Sequence, residues 1–459
     1  MDKKNNIFVN SARKIGMDGA IAYSSAARIF QAFAGVVSVF IIVFFLSGPE
    51  QGYFFTFNSI LAIQIFFELG FTGIMTQYVA HEVVHLSLKE NSFYEGEERY
   101  KSRLAYLVRF CIKWYSFIAL LFLVVIIIVG LVYFGRYAST EDNVNWQAPW
   151  YLLSFSTAVK LFQSPFTAIY TGLGKVKEMN KISFYQQLII PISQWILFAF
   201  GFKLYVVGIS SLLGVIVWWM FVLRTGLWRI LYNLLKEKVT ETLSYMKEIF
   251  PYQWKIALSW ISGYFIFQLF NPVLFATEGA VAAGQMGMTV QVLSAIQGFA
   301  LSWQNTKIPK YCGYIEMKQY EKLDGLFNRT MKQMVGVCLA ILFLFYTVII
   351  VLRITHFSIG NTVFGDRFLP YFPMLLMTVP VVVNQFVSSW ATYLRCHKQE
   401  PFLLNSVVMG VLCCLSTLIL GKYYGLYGIT IGYAFLCLFV SLPWGAYIFN
   451  TKKNEWHGR

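Results

Sequence analysis

Charge is scarce in this sequence. Only 13% of its 459 residues are Asp, Glu, Lys or Arg, against roughly 25% in an ordinary soluble domain. With 57% hydrophobic residues and a mean hydropathy of +0.58, a 52.8 kDa chain lacks the polar surface to cover itself in water. A Walker A loop is also missing, which excludes an ATP-driven engine within the chain. No cleavable leader is expected: the first apolar run follows Lys3, Lys4, Arg13 and Lys14, is too long for a signal h-region and lacks a small-residue cleavage site. The seven cysteines (Cys111, Cys312, Cys338, Cys396, Cys413, Cys414 and Cys437) have no metal-like spacing and read as small apolar packers and reduced thiols. His81, Glu82 and His85 match the H-E-x-x-H pattern, but no third ligand or partner carboxylate accompanies them. They read as a helix end with titratable surface histidines, and neither a metal site nor a catalytic residue is assigned.

What is present is a series of apolar runs, each near the 20 or so residues a bilayer requires. In lipid such runs must be helical, since every backbone N–H and C=O has to be paired within the segment. We place spans at 20–46, 53–80, 104–134, 147–172, 182–201, 203–224, 254–276, 279–305, 334–353, 368–395, 401–420 and 426–449. The fold class is therefore an all-α integral membrane protein of about twelve transmembrane helices. The net charge of +15 is a topology signal rather than a nucleic-acid footprint. Bases crowd into alternate loops, around 89–103, 175–181, 224–247, 307–332, 395–398 and 452–459. The opposite loops hold only Arg136, Lys203, Arg353, Arg367 and Lys422. This asymmetry puts both termini in the cytoplasm.

Val239, Leu243, Met246 and Phe250, and again Ile315, Leu323, Phe327 and Met331, recur at helical spacing among charges and read as amphipathic interfacial helices. The middle loop divides the chain into six-helix lobes at 1–235 and 236–459. Glu50-Gln51-Gly52-Tyr53 and Ala283-Gly284-Gln285-Met286 occupy corresponding places in the halves. Six spans per half give both lobes the same orientation, so the repeat is parallel and pseudo-symmetric, with a central cavity expected between the lobes.

Polar residues within the spans carry the functional reading, since a charge at bilayer depth costs at least about 2.5–3.5 kcal/mol. Ser24, Arg28, Gln31, Gly35 and Ser38 share a face of span 1. Span 2 has Gln64, Glu68 and Thr72, Glu68 being the one acid deep in any span. Span 4 has Ser156, Lys160, Gln163 and Thr167. Span 7 has Lys255, Ser259, Ser262, Gln268 and Asn271, with a kink expected at Pro272. Span 8 adds Gln291, Ser294 and Asn305, and span 10 adds Asn384 and Gln385. Together Arg28, Lys160 and Lys255 describe a wet cationic cavity able to receive an anionic group. The competing reading is helix glue, above all Glu68 paired with Arg28 or Lys160.

Several stretches together resemble the polysaccharide transporters of the multidrug/oligosaccharidyl-lipid/polysaccharide exporter superfamily. They are Phe44–Gly70, Phe250–Phe275, AAGQMGMT at Ala282–Thr289, WQNTKIP at Trp303–Pro309 and YLRCHKQEPFL at Tyr393–Leu403. The resemblance implies a flippase of the bacterial inner membrane. Such a protein carries undecaprenyl-pyrophosphate-linked oligosaccharide repeat units, of the kind used for O-antigen, from the cytoplasmic to the outer leaflet by alternating access. It implies substrate binding through Arg28, which matches a first-helix arginine. Lys160 and Lys255 match by general position, and Gln31, Gln163 and Asn271 complete the candidate set. Glu68 is the candidate coupling residue. No cofactor is expected, and the resemblance leaves a coupling ion, H+ or Na+, open. Implied partners are the lipid-linked oligosaccharide, membrane lipids and other polysaccharide-assembly proteins, with no nucleic acid.

The alternatives are an ion-coupled multidrug exporter of the same superfamily and a membrane-embedded polysaccharide polymerase. The exporter would need carboxylates in span 1, 7 or 8, where no deep acid stands. The polymerase would need a larger outward domain than the loops near 134–147 and 353–368 supply.

Overall fold

The apolar runs become helices and the breaks between them fall where backbone chemistry requires. The structure, a computed structural model, describes residues 19–89, 92–139, 142–241, 250–359, 362–397 and 399–457, with the backbone alone for 19–29, 32, 251–252, 255, 359 and 362. Helix α1 runs Gly19–Phe45. After it come α2 (Gly48–Leu61), α3 (Gln64–Glu68), α4 (Phe71–Val83), α5 (Glu98–Tyr137), α6 (Gln147–Gly172), α7 (Val176–Ala199), α8 (Tyr205–Arg224) and α9 (Leu227–Lys236). The chain continues with α10 (Phe250–Phe267), α11 (Phe270–Glu278), α12 (Ala280–Asn305), α13 (Ile308–Glu316), α14 (Tyr320–Ile354), α15 (Tyr371–Arg395), α16 (Leu403–Phe435) and α17 (Leu442–His457). Two short antiparallel hairpins, β1–β2 (Leu86–Leu88, Tyr94–Gly96) and β3–β4 (Ser358–Ile359, Thr362–Val363), close loops between helices.

Among the described residues, eight helical stretches are long and apolar enough to cross a membrane. Helices α1, α6 and α12 stand outside that set, yet are 26 or 27 residues long, about 39 Å at 1.5 Å per residue and sufficient for a roughly 30 Å hydrocarbon core. The stretch 403–457 contains two passages, because Gly425 at φ 53°, ψ −133° breaks the helix inside α16. The expected set of about twelve spans is thus observed, with edges mostly within a few residues.

Local breaks have identifiable causes. Ser47 caps α2: its hydroxyl accepts from the Glu50 N–H at 3.3 Å, and the Ser47 N–H donates to the Glu50 carboxylate at 2.8 Å. The passage from α10 to α11 breaks at Gln268 and Leu269, as the proline at 272 requires, since that residue cannot donate to the Gln268 carbonyl. A π-helical turn at Leu436–Ser441 precedes Pro443 and absorbs the donor missing there.

Two expectations shift. Between α8 and Glu241 the amphipathic helix is α9, one segment earlier than expected, burying Leu227, Ile230, Leu231 and Leu234. Residues 242–249, which include Leu243 and Met246, lie outside the described residues. Leu323 and Phe327 are not on a separate interfacial helix. They start the 35-residue α14 and join a buried cluster with Tyr311, Tyr393, Leu394, Phe402 and Phe449.

The helices form two compact units. Unit 1 takes residues 19–34, 64–135 and 145–257 of the described chain; unit 2 takes 35–63, 136–144 and 258–459. In chain order the division falls at 257/258 rather than 235/236, and 35–63 joins the second unit. In unit 1, α4 packs on α6, where Gly172 brings its backbone against the Thr76 carbonyl and Val79, and Thr76 Oγ1 donates to the Ala168 carbonyl at 3.2 Å. Helices α6, α7 and α8 pack on one another, and Gln186 Nε2 donates to the Gly214 carbonyl at 2.8 Å across α7 and α8. Unit 2 is organised on α12, which touches α2, α11, α14 and α15.

A cavity of amides above a glycine seam

Helices α2 and α12 of unit 2 start at the same end and run alongside each other. Both open with small residues four apart, Gly48 and Gly52 in one and Ala280 and Gly284 in the other, the pattern that lets helix backbones approach closely. They approach so closely that a Cβ on Gly52 would stand 1.9 Å from the Ala280 carbonyl oxygen. One turn further, a Cβ on Gly287 would meet the Phe55 ring at 2.3 Å. These are the two segments the sequence marks as corresponding between halves.

Polar side chains lock this seam. Gln51 Nε2 donates to the Gly284 carbonyl at 2.8 Å and the Arg367 carbonyl at 3.1 Å. Arg367, 6% exposed, donates from Nη2 to the Leu46 carbonyl at 2.8 Å. Burial lowers its proton affinity and the Glu50 carboxylate opposes that shift. Leu369 N–H donates to Thr289 Oγ1 at 3.1 Å, and Arg353 holds the Gly365, Phe368 and Leu369 carbonyls from the far side of the loop.

Past Phe55 and Gly287 the same pair of helices parts, and a cavity of about 530 Å³ opens within unit 2. That volume suits a ligand pocket, for which roughly 300–1,000 Å³ is usual. Helix α12 lines it with Gly287, Gln291, Ser294, Gly298 and Leu301, which return every three or four residues on one face. Asn58 and Ser59 come from α2, Gln268 and Asn271 from the break before and the start of α11, and Asn384 from α15. Aromatic walls are Phe54, Phe55, Phe267, Phe270 and Tyr433. Among the described residues its lining contains no Asp, Glu, Lys, Arg or His. Asn271 is 9% exposed; its Nδ2 donates to Ser59 Oγ at 3.0 Å, while its Oδ1 has no partner.

The charged candidates lie in unit 1. Lys160, halfway along α6, is exposed although Ser156, Thr157, Leu161 and Gln163 around it are buried. Its charge interacts with the Glu68 carboxylate at the end of α3, whose Oε1 accepts from Thr72 Oγ1 at 2.7 Å. Gln163 is buried with its Oε1 unpartnered, and Gln31 is exposed on α1. Arg28 stands on α1 and Lys255 on α10, but both side chains lie outside the described residues.

The structure thus puts Asn271 in the unit 2 cavity, and Glu68, Lys160 and Gln163 in unit 1. Asn58, Gln297 and Tyr433, which also line the cavity, carry no mark in the sequence reading. Gln268, Gln291, Ser294 and Asn384 were visible as polar residues only. The return of Gly287, Gln291, Ser294 and Gly298 every three or four residues is the signal that would have joined those on α12.

The H-E-x-x-H residues are otherwise engaged. Glu82 is buried against Arg103 at 3.0 Å, and His85 stacks on Tyr100 with ring centroids 4.0 Å apart. A histidine contact elsewhere, His397 Nε2 to His457 Nε2 at 3.3 Å, ties the loop after α15 to the end of α17.

Comparison with known proteins places this architecture. No family model matches the sequence, and no curated protein matches it. Among solved structures, an inward-facing multidrug resistance MATE family transporter of the MOP superfamily is 15% identical, with 95% of this chain and 99% of that chain covered and a TM-score of 0.67. The lipid II flippase MurJ in an inward closed conformation is also 15% identical, over 94% of this chain and 87% of that chain, with a TM-score of 0.65. The MATE multidrug transporter DinF-BH, in a ligand complex, is 14% identical over 95% and 96%, with a TM-score of 0.55. The chain has the fold of the MOP superfamily transporters.

Proposed function

We propose that this chain is a flippase that moves undecaprenyl-pyrophosphate-linked oligosaccharides from the cytoplasmic to the outer leaflet of a bacterial inner membrane by alternating access. The observation that carries the reading is Lys160. A lysine in the middle of a membrane-spanning helix, exposed while its neighbours are buried, is too costly against lipid and belongs on a wet surface. There it supplies what a pyrophosphate loses on leaving water, a close positive charge in a weakly screening environment. Arg28 on α1 would serve the same group, its planar fork suiting phosphate oxygens. Glu68, in electrostatic contact with Lys160, would balance the lysine when no cargo is bound and is the candidate for coupling to H+ or Na+.

A fold shared with a lipid II flippase supports a lipid-linked cargo. The same fold serves multidrug transporters, DinF-BH among them. Export of a cationic drug calls for a carboxylate at the site, and the unit 2 cavity has none among its described residues. The role needs no chemistry on the cargo, so the chain acts as a carrier in polysaccharide assembly, working beside the proteins that make and polymerise the repeat unit.

Complementation of a strain lacking the protein tests the reading. Lys160→Ala is expected to reach the membrane in normal amounts and lower surface polysaccharide at least about tenfold, the effect of roughly 1.4 kcal/mol lost from the moving complex. Lys160→Arg should retain most activity. Full activity of Lys160→Ala would refute the cationic headgroup site.

A further inference from the structure

The geometry points to a second, chemically separate subsite: the unit 2 cavity holds the uncharged sugar part of the cargo, and Asn271 and Gln291 read its hydroxyls. The inference rests on the flippase reading above and assigns the glycan to residues that contain no cation. Three classes of occupant can be weighed against the lining. An anion would lose its hydration with no positive group among the described wall residues to replace it. A cation would meet no carboxylate among those residues. A purely apolar chain would strand the amides of Gln268, Gln291, Asn271 and Gln297 without hydrogen bonds, each costing more than it returns.

A sugar ring matches what remains. Each hydroxyl both donates and accepts, and an Asn or Gln side chain presents two donors and an acceptor within one planar group. Asn271 is already half committed. Its amide N–H is held by Ser59, and its carbonyl oxygen is buried without a partner on a residue that lines the cavity. Such an acceptor is costly to leave unpaired, so it favours a donor from the occupant. Phe54, Phe267 and Phe270 offer the apolar faces that cover the C–H side of a pyranose. Helix α12 then sets selectivity by what it omits: nothing stands within 4 Å of where a Cβ on Gly298 would be, which leaves room beside Gln291 and Ser294.

The experiment measures affinity for two probes in lipid nanodiscs. One is bare undecaprenyl pyrophosphate. The other is the lipid-linked oligosaccharide extracted from cells lacking this protein, where the cargo accumulates. Wild type is expected to prefer the glycolipid about tenfold, the equivalent of one or two good hydrogen bonds with their packing. Gln291→Leu and Asn271→Leu should each reduce that preference about three- to tenfold and leave the affinity for bare undecaprenyl pyrophosphate unchanged. Gln291→Asn should restore part of it, which a misfolded cavity would not allow. Unchanged preference in both leucine variants, or equal loss for both probes, overturns the sugar subsite while the flippase reading stands. Failure of wild type to bind either probe overturns the flippase reading itself.

Discussion

Helices α2 and α12 behave oppositely along their shared length. Over their first turns no side chain separates them: Gly52 and Gly284 lay backbone on backbone, and Gln51 and Arg367 use buried hydrogen bonds to fasten the contact. Two turns on, where Asn58 and Gln291 replace glycine, the helices part around open space lined with amides. The difference shows how one helix pair can be both seal and cavity wall. Residues with no side chain close the gap, and residues with polar side chains line the space where it opens. Seam positions should therefore govern stability, and cavity positions should govern transport.

Substitutions can break that division. The largest effect is expected for Gly52→Val, because its Cβ falls 1.9 Å from the Ala280 carbonyl and neither backbone can yield cheaply. We expect about 3 kcal/mol or more of destabilisation, read as loss of monodisperse protein on size-exclusion chromatography. Arg367→Ala should come next, at about 2–3 kcal/mol. It frees the Leu46 carbonyl and leaves Glu50, 8% exposed, without its positive neighbour. Gln51→Ala removes two buried hydrogen bonds and should cost about 1–2 kcal/mol; thermal melting in detergent ranks both. At the cavity, Gln291→Leu should change the melting temperature by less than these seam variants yet impair transport. A Gln291→Leu protein as unstable as Gln51→Ala would erase the distinction.

The smallest effect expected is a pH dependence far from the seam. Burial lowers the proton affinity of His397, against hydrogen bonds to the Tyr393 and Leu394 backbone. With the unfolded value near 6.5, the unfolded chain binds the proton first as pH falls. Stability from this site is thus complete above about pH 6.5 and lost as pH drops through the lower folded value. His457, Asp324 and Lys453 stand in the same neighbourhood, and a charged His397 would repel a charged His457. Between pH 7.5 and 5.5 the melting temperature should fall further in wild type than in His397→Gln.

Hydropathy made the spans legible because lipid leaves the backbone no alternative to helix, and Pro272 marked its break for the same covalent reason wherever it stands. The seam was half visible: the small residues at 48, 52, 280 and 284 permit close approach, but which helices meet is decided by tertiary packing. The cavity was harder still. Asn271 stood out beside a proline, whereas Asn58 and Tyr433 are single polar groups on apolar helices, and nothing local tells such a residue from packing glue. Lys160 was conspicuous by its depth alone, and its exposure, which separates a wet wall from a buried ion pair, is a property of the fold.

The central claim, that this chain moves a lipid-linked oligosaccharide held by Lys160, is tested most directly by leaflet exchange in proteoliposomes. Purified protein is reconstituted with the extracted lipid-linked oligosaccharide, and the fraction of glycan open to an added membrane-impermeant glycosidase is followed in time. Wild type should render nearly all of the glycan accessible, and Lys160→Ala should leave the inner-leaflet half protected. Vesicles in which wild type leaves the glycolipid in place but expels a cationic dye such as ethidium would contradict the account and return the chain to the drug exporters.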